Sequence, residues 1–378
     1  EVSRSIRSGA FGSIEADQLV LPPTLRGVED GAFASLQVRE LVLFDSLETL
    51  SDQSFGAASI RTLRLQAATP RKWSGTYFDT LPDKMDRLRS LENARKLVLL
   101  CGSSVRFGYN SALLDSAFPD LDVVNLGVYA YANLLPYARM AEIFCHDGDV
   151  LLLSPELDAI DCQFFGETRM ESEWFAMTES DYDLLSLLNL SEFTGVFDSF
   201  AAYLKGRARM DAPQEDISPS QLDEDGNRTL TPSYNVYGDY VLQRENNLSR
   251  RLFGIKRAAY EPGAIRTVDL EGMQAVCERF LQRGVQVFFT YSPRSRESIT
   301  EGSTEAAIQA LDALLRSHLP VPVISDIHDS LMDPLYFYGT DNHLSTEGVS
   351  IHTAQVIRDL KKALEEVPDE ALEEAEHD

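Results

Sequence analysis

Long apolar runs are missing from this chain of 378 residues. No stretch approaches the roughly 18 apolar residues that cross a bilayer, so no transmembrane segment is expected. Positive charge is also scarce. Lys and Arg number 34 against 60 Asp and Glu, a net charge of −26, and such a field repels phosphate backbones, which argues against nucleic acid as a partner. The four cysteines, Cys101, Cys145, Cys162 and Cys277, lie far apart with no C-x-x-C pair. That spacing argues against a zinc site or a dithiol centre, and no metal and no cofactor are expected. Cys101 ends an apolar run and reads as a small buried hydrophobe; a disulfide between Cys145 and Cys162 stays open. The first residue is Glu1 rather than Met, which reads as a mature chain relieved of a signal or anchor. The acidic end, 365–378, reads as a solvated tail.

What is present is 44% hydrophobic residues, enough for a full core in more than one domain. Laid on themselves at an offset of 22, the first 65 residues bring Leu19-Val20-Leu21 onto Leu41-Val42-Leu43 and then onto Leu63-Arg64-Leu65. Leu25 falls on Leu47, Val28 on Leu50, Phe33 on Phe55 and Val38 on Ile60, and Gly9-Ala10-Phe11 recurs as Gly31-Ala32-Phe33. A period in the low twenties with one L-x-L strand per unit marks a leucine-rich-repeat solenoid, whose units bury their apolar faces by stacking. Residues 9–68 resemble the BspA-like repeats of bacterial surface proteins. That resemblance implies an extracellular setting and a protein partner contacted through the repeats. The alternative is that so few repeats only cap the next domain. The segment is taken as residues 1–70.

From about residue 95 short apolar runs alternate with amphipathic stretches. The runs are 97–101, 121–126, 150–153, 285–291 and 321–324, and the stretches 132–144, 270–282, 304–317 and 345–364. Runs that are apolar on both parities suit strands buried on both faces. The alternation therefore predicts an α/β fold, a three-layer α/β/α sandwich around a five-stranded parallel sheet, over residues 71–378. An interval at about 163–262 interrupts the pattern. It carries Trp174, Phe175, Phe193, Phe197, Phe200 and Tyr203 and a polar stretch at 211–227, and reads as an insertion serving as a lid, a substrate wall or a helical buttress.

Ligands of open parallel sheets bind beyond the carboxyl ends of the strands. There this chain has Gly102-Ser103-Ser104, Asn125-Leu126-Gly127 up to Ala130, Ser154-Pro155-Glu156, Ser292-Pro293-Arg294 and Thr340-Asp341-Asn342-His343. These residues supply the parts of an acyl-transfer site: Ser104 as nucleophile, His343 as base and Asp341 to orient the imidazole. The N–H groups of Ser104 and of the stretch from Gly127 to Ala130 are the expected oxyanion donors. Arg294 either binds an anionic substrate or pairs with a surface carboxylate. Asp326-Ile327-His328 is a rival D-x-H, and Ser103 and Ser104 as plain helix caps are the bland alternative.

The order G-x-S, N-x-G and D-x-H, in "KLVLLCGSSVRFGYNS", "VVNLGVYA", "GDVLLLSPE" and "YGTDNHLSTEG", resembles the SGNH (GDSL-like) hydrolase superfamily over residues 75–366, in particular bacterial surface or envelope members with G-S-S. The resemblance implies a flavodoxin-like fold and an esterase or O-acyltransferase acting on acyl esters of a polysaccharide or surface glycan. It also implies a cell-surface or extracellular location, and Ser104, His343 and Asp341 as the triad. The chain departs from the family where Ala130 replaces a glycine, where D-x-H replaces D-x-x-H, and where Glu156 lies near the usual asparagine donor. An ionised carboxylate cannot donate and repels an oxyanion. Glu156 therefore keeps a second function open, an inactive surface interaction protein working through its repeats.

Overall fold

The structure, a computed structural model, describes residues 4–73, 78–129, 132–157, 163–210, 234–248 and 258–366. The chain forms two compact units. One comprises Glu1–Met85, Tyr131–Ile143 and Glu167–Pro219, the other Asp86–Ala130, Phe144–Gly166 and Ser220–Asp378.

In the first, the repeat unit, strands β1 (Phe11–Val20), β2 (Phe33–Phe44) and β3 (Ala57–Gln66) form a parallel sheet in the order β1-β2-β3. Phe11 pairs with Phe33, Leu19 with Leu41, Val38 with Ile60 and Leu41 with Leu63. The offset of 22 in the sequence is thus the register of the sheet. Like residues stack on like: the Phe11 and Phe33 rings lie 5.0 Å apart, Phe33 and Phe55 5.7 Å. Gly9 and Gly31, one period apart, take φ of +71° and +70°, a turn conformation that strains any residue with a Cβ. Trp174, Phe175, Phe193, Phe197, Phe200 and Tyr203 are buried, and Phe197 continues the ring column, 4.5 Å from Phe55. The first part of the expected insertion therefore belongs to the core of this unit; the polar stretch 211–227 lies outside the described residues.

The second unit is a mixed α/β structure. Strands β4 (Lys96–Cys101), β5 (Asp122–Gly127), β6 (Val150–Leu153) and β7 (Gln286–Phe289) form a parallel sheet in the order β7-β6-β4-β5. Every residue of β4 and β6 is buried, as double-sided coverage requires. At the base of β4, buried Lys96 Nζ sits 2.7 Å from Asp149 Oδ2.

Where five strands were expected, this sheet has four among the described residues. The run 321–324 contributes a single parallel bridge, Val323 to Phe289. Ile324 N–H donates to the Phe289 carbonyl, so the donor two residues earlier in the same row would be Pro322, which has no N–H. The helices that position the site are α1 (Ser103–Gly108), α2 (Ser111–Ala117), α3 (Thr267–Leu281), α4 (Glu305–His318) and α5 (Thr346–Glu365). Thr304 and Ser345 cap α4 and α5 through their side-chain oxygens, satisfying N–H groups that a helix start leaves bare. Among the described residues no helix is long and apolar enough to cross a membrane. Cys101, Cys145 and Cys277 are buried; Cys162 lies outside the described residues.

Candidate functional site

The order of the strands reverses at β4, whose neighbours are β5 and β6, and a doubly wound sheet opens its crevice at the carboxyl end of such a strand. There Gly102 makes the turn and α1 begins at Ser103. The helix lies so close to β5 that a Cβ on Gly127 would fall 2.2 Å from Arg106 N. Gly127 is therefore a packing glycine. Its N–H donates to Asn125 Oδ1 at 2.8 Å, which corrects its assignment as an oxyanion donor. Ala130 lies outside the described residues.

His343 arrives on the loop before α5. Its N–H donates to Thr340 Oγ1 at 3.2 Å, and its ring stacks on Phe107 with centroids 4.1 Å apart. Its Nε2 is 2.8 Å from Ser103 Oγ. The serine that meets the imidazole is thus Ser103, and the expectation for Ser104 is corrected. Successive residues of a helix point about 100° apart. Ser103 Oγ reaches His343 and Glu156, whereas Ser104 is fully buried and its Oγ has no hydrogen-bond partner among the described residues.

Asp341 is corrected as well. Its buried carboxylate faces Arg294, Nη1 to Oδ2 3.2 Å, and its carbonyl accepts Ser295 N–H at 2.8 Å. Arg294 is accordingly half of a buried pair and not a surface cation. His343 Nδ1 has no hydrogen-bond partner among the described residues, so what these residues form is a Ser-His pair.

Glu156 occupies the centre of the site. Its Oε1 accepts Ser104 N–H at 2.5 Å and the Ser103 hydroxyl at 3.3 Å, and its Oε2 accepts Asn342 Nδ2 at 2.7 Å. Thr340 Oγ1 donates to Asn342 Oδ1 at 2.6 Å, which turns the amide so that its NH₂ faces Glu156. The N–H of Ser104 expected to hold an oxyanion therefore holds a carboxylate. Ser103 Oγ thus donates to Glu156 Oε1 and lies within hydrogen-bond distance of His343 Nε2.

Cations surround the imidazole. Burial, then Arg244, Arg106 and Arg294, push the His343 pKa down to about 3, because each of them disfavours the charged ring. The ring is neutral at ordinary pH, the form that accepts a proton. Arg106 donates to the Gly127 carbonyl at 3.3 Å and Tyr234 Oη at 3.4 Å. The Arg244 guanidinium lies 5.2 Å from the Phe107 ring centre and 5.3 Å from that of Tyr240. Its Nε and Nη1 have no hydrogen-bond partner among the described residues, and burial lowers its pKa to about 10.

The rival D-x-H lies apart from these groups. Asp326 caps its own short helix by accepting His328 N–H, and His328 pairs with Glu305 at 3.2 Å. They line a large cleft of about 770 Å³ with Arg316 and Lys362, which none of the site residues above lines. His352 is buried with both ring nitrogens lacking hydrogen-bond partners among the described residues, and burial lowers its pKa to about 4. Among the described residues no three His, Cys, Asp or Glu side chains converge as a metal site requires.

Sequence reasoning missed Ser103 as the partner of His343, Asn342 as a donor and Arg244. Asn342 carried a signal, being the middle residue of the D-x-H; Arg244 carried none, lying in the interval read as an insertion. In comparisons with known proteins, no family model matches the chain and no curated protein matches it.

Proposed function

We propose that this chain is a serine esterase or O-acyltransferase with Ser103 as nucleophile and His343 as general base. The observation that carries the reading is the 2.8 Å contact between His343 Nε2 and Ser103 Oγ at the carboxyl end of β4. A serine is a weak nucleophile until an imidazole takes its proton. As Ser103 Oγ bonds to the acyl carbon, its proton passes to His343 Nε2 and the carbonyl oxygen becomes an oxyanion. Collapse of the adduct expels the alcohol oxygen, which takes the proton from His343, and leaves acyl-Ser103. Water or a sugar hydroxyl then attacks, with His343 again as base, and restores the serine. The charged imidazole that Arg106, Arg244 and Arg294 disfavour forms only while an oxyanion develops beside it, and that negative charge offsets them.

The finer features of the reading rest on the resemblance of the motifs. They are the three-layer sandwich of the SGNH type, the acyl ester of a polysaccharide or surface glycan as substrate, the cell-surface location, and the leucine-rich repeats as contact for a protein partner. Labelling with a fluorophosphonate probe tests the chemistry. Label is expected on the wild type and lost in both Ser103→Ala and His343→Ala; an unlabelled wild type sinks the proposal. One observation favours the second reading, an inactive surface interaction protein: Glu156 fills the donors that an oxyanion needs. In that case neither labelling nor hydrolysis of short aryl esters occurs.

A further inference from the structure

The carboxylate of Glu156 is buried against a nucleophile it should hinder, and its two oxygens are held separately. One takes Ser104 N–H at 2.5 Å, the other Asn342 Nδ2 at 2.7 Å. Oε1 is also 3.3 Å from Ser103 Oγ. An ester attacked by Ser103 brings a carbon bearing two oxygens to this same place. Oxyanion donors act within about 2.7–3.1 Å of the position that the oxyanion takes. We propose that Ser104 N–H and the Asn342 amide form the acyl-binding cradle of the site, and that Glu156 is its resting occupant, a tethered carboxylate that an incoming ester must displace. The inference rests on Ser103 as nucleophile and adds to that reading a donor, a ligand class and a control. The donor is Asn342, the class is a carboxyl group, free or esterified, and the control is self-occlusion.

The surroundings fit each part. Thr340 locks the Asn342 amide with its NH₂ toward the cradle, so the donor is set before any ligand arrives. Ser104 supplies only its backbone, which accounts for a side chain that is buried and unpartnered. The Ser103 hydroxyl, which donates to Glu156 at rest, is left to His343 alone once Glu156 leaves. Displacement removes a negative charge from beside the forming oxyanion, where it would repel.

Titration of ¹³C-acetate into the full chain, read by NMR, tests the cradle directly. Glu156→Ala is expected to bind acetate at least tenfold more tightly than the wild type, and Glu156→Ala/Asn342→Ala to lose that gain. Glu156→Gln guards against a folding failure: its amide can accept from only one of the two donors, so its acetate affinity is expected between the other two. Equal affinity in wild type and Glu156→Ala, or, should that variant not fold, in wild type and Glu156→Gln, overturns the proposal. Fluorophosphonate labelling of the same proteins separates this inference from the function it rests on. Faster labelling of Glu156→Ala supports both, whereas acetate binding gained without any labelling leaves the cradle standing and sinks the esterase.

Discussion

Along the repeats of the first unit some polar side chains meet a partner one repeat away. Asp17 pairs with Arg39 and Gln18 with Glu40, each 22 residues apart. In the sheet unit Glu156 meets Ser104 over 52 residues and Asn342 over 186, and His343 meets Ser103 over 240. The first set recurs with the period, and its Asp17–Arg39 pair faces water, where an ion pair contributes little. Members of the second set are buried, His343 partly so, and they come from three separate strand ends and loops. A periodic element distributes its stability over equivalent contacts, while the site concentrates chemistry in a few that nothing duplicates.

Substitutions should sharpen that contrast. The largest effect is expected at the site, where Ser103→Ala or His343→Ala lowers the labelling rate roughly a thousandfold while circular dichroism and melting change little. Ser104→Ala keeps its N–H and is expected to retain most of the labelling. Next comes the ring column of the repeat unit. Phe33 is buried between Phe11 and Phe55, and Phe33→Ala should cost about 3–5 kcal/mol in urea denaturation. The end of the column should tolerate more, since Phe11 is 43% exposed.

Acid should distinguish the units as well. His343 and His352 have folded pKa values near 3 and 4, below the ordinary value of 6.5. Between those values the unfolded chain binds protons that the folded chain does not. Their contribution is therefore complete above pH 6.5 and is lost as pH falls toward 4. For His352 alone the loss is roughly 3 kcal/mol by pH 4, and His352→Leu should flatten the dependence of melting on pH. The neutral His343 should also keep the labelling rate level down to about pH 4, and Arg244→Met, which removes the leading cation, should move the acid limb upward. The smallest effect is expected at the surface of the repeats: Arg39→Ala should leave the melting temperature unchanged, because Asp17 and Arg39 lie in water.

Much of the fold was legible because it is local. The offset of 22 became the register of β1 to β3, apolar runs became β4 to β7, and Thr304 and Ser345 marked the starts of α4 and α5. The run at 321–324 misled because apolar character outweighed Pro322 in the reading, although a ladder needs its N–H. At the site, the strand ends and His343 were legible as places where chemistry collects. Which serine meets the imidazole depends on the rotation of a six-residue helix, and the partner of Asp341 depends on where Arg294 lies; neither has a pattern along the chain. Glu156 was legible as an obstacle; its donor Asn342 lay in plain view inside the D-x-H, but nothing along the chain ties it to Glu156, 186 residues away.

The central claim is that Ser103, poised on His343, is the nucleophile. Digestion of the fluorophosphonate-labelled protein and fragmentation of the peptide that spans Gly102 to Arg106 tests it most directly. The account predicts the phosphonyl group on Ser103; the group on Ser104, or on neither serine, would contradict it.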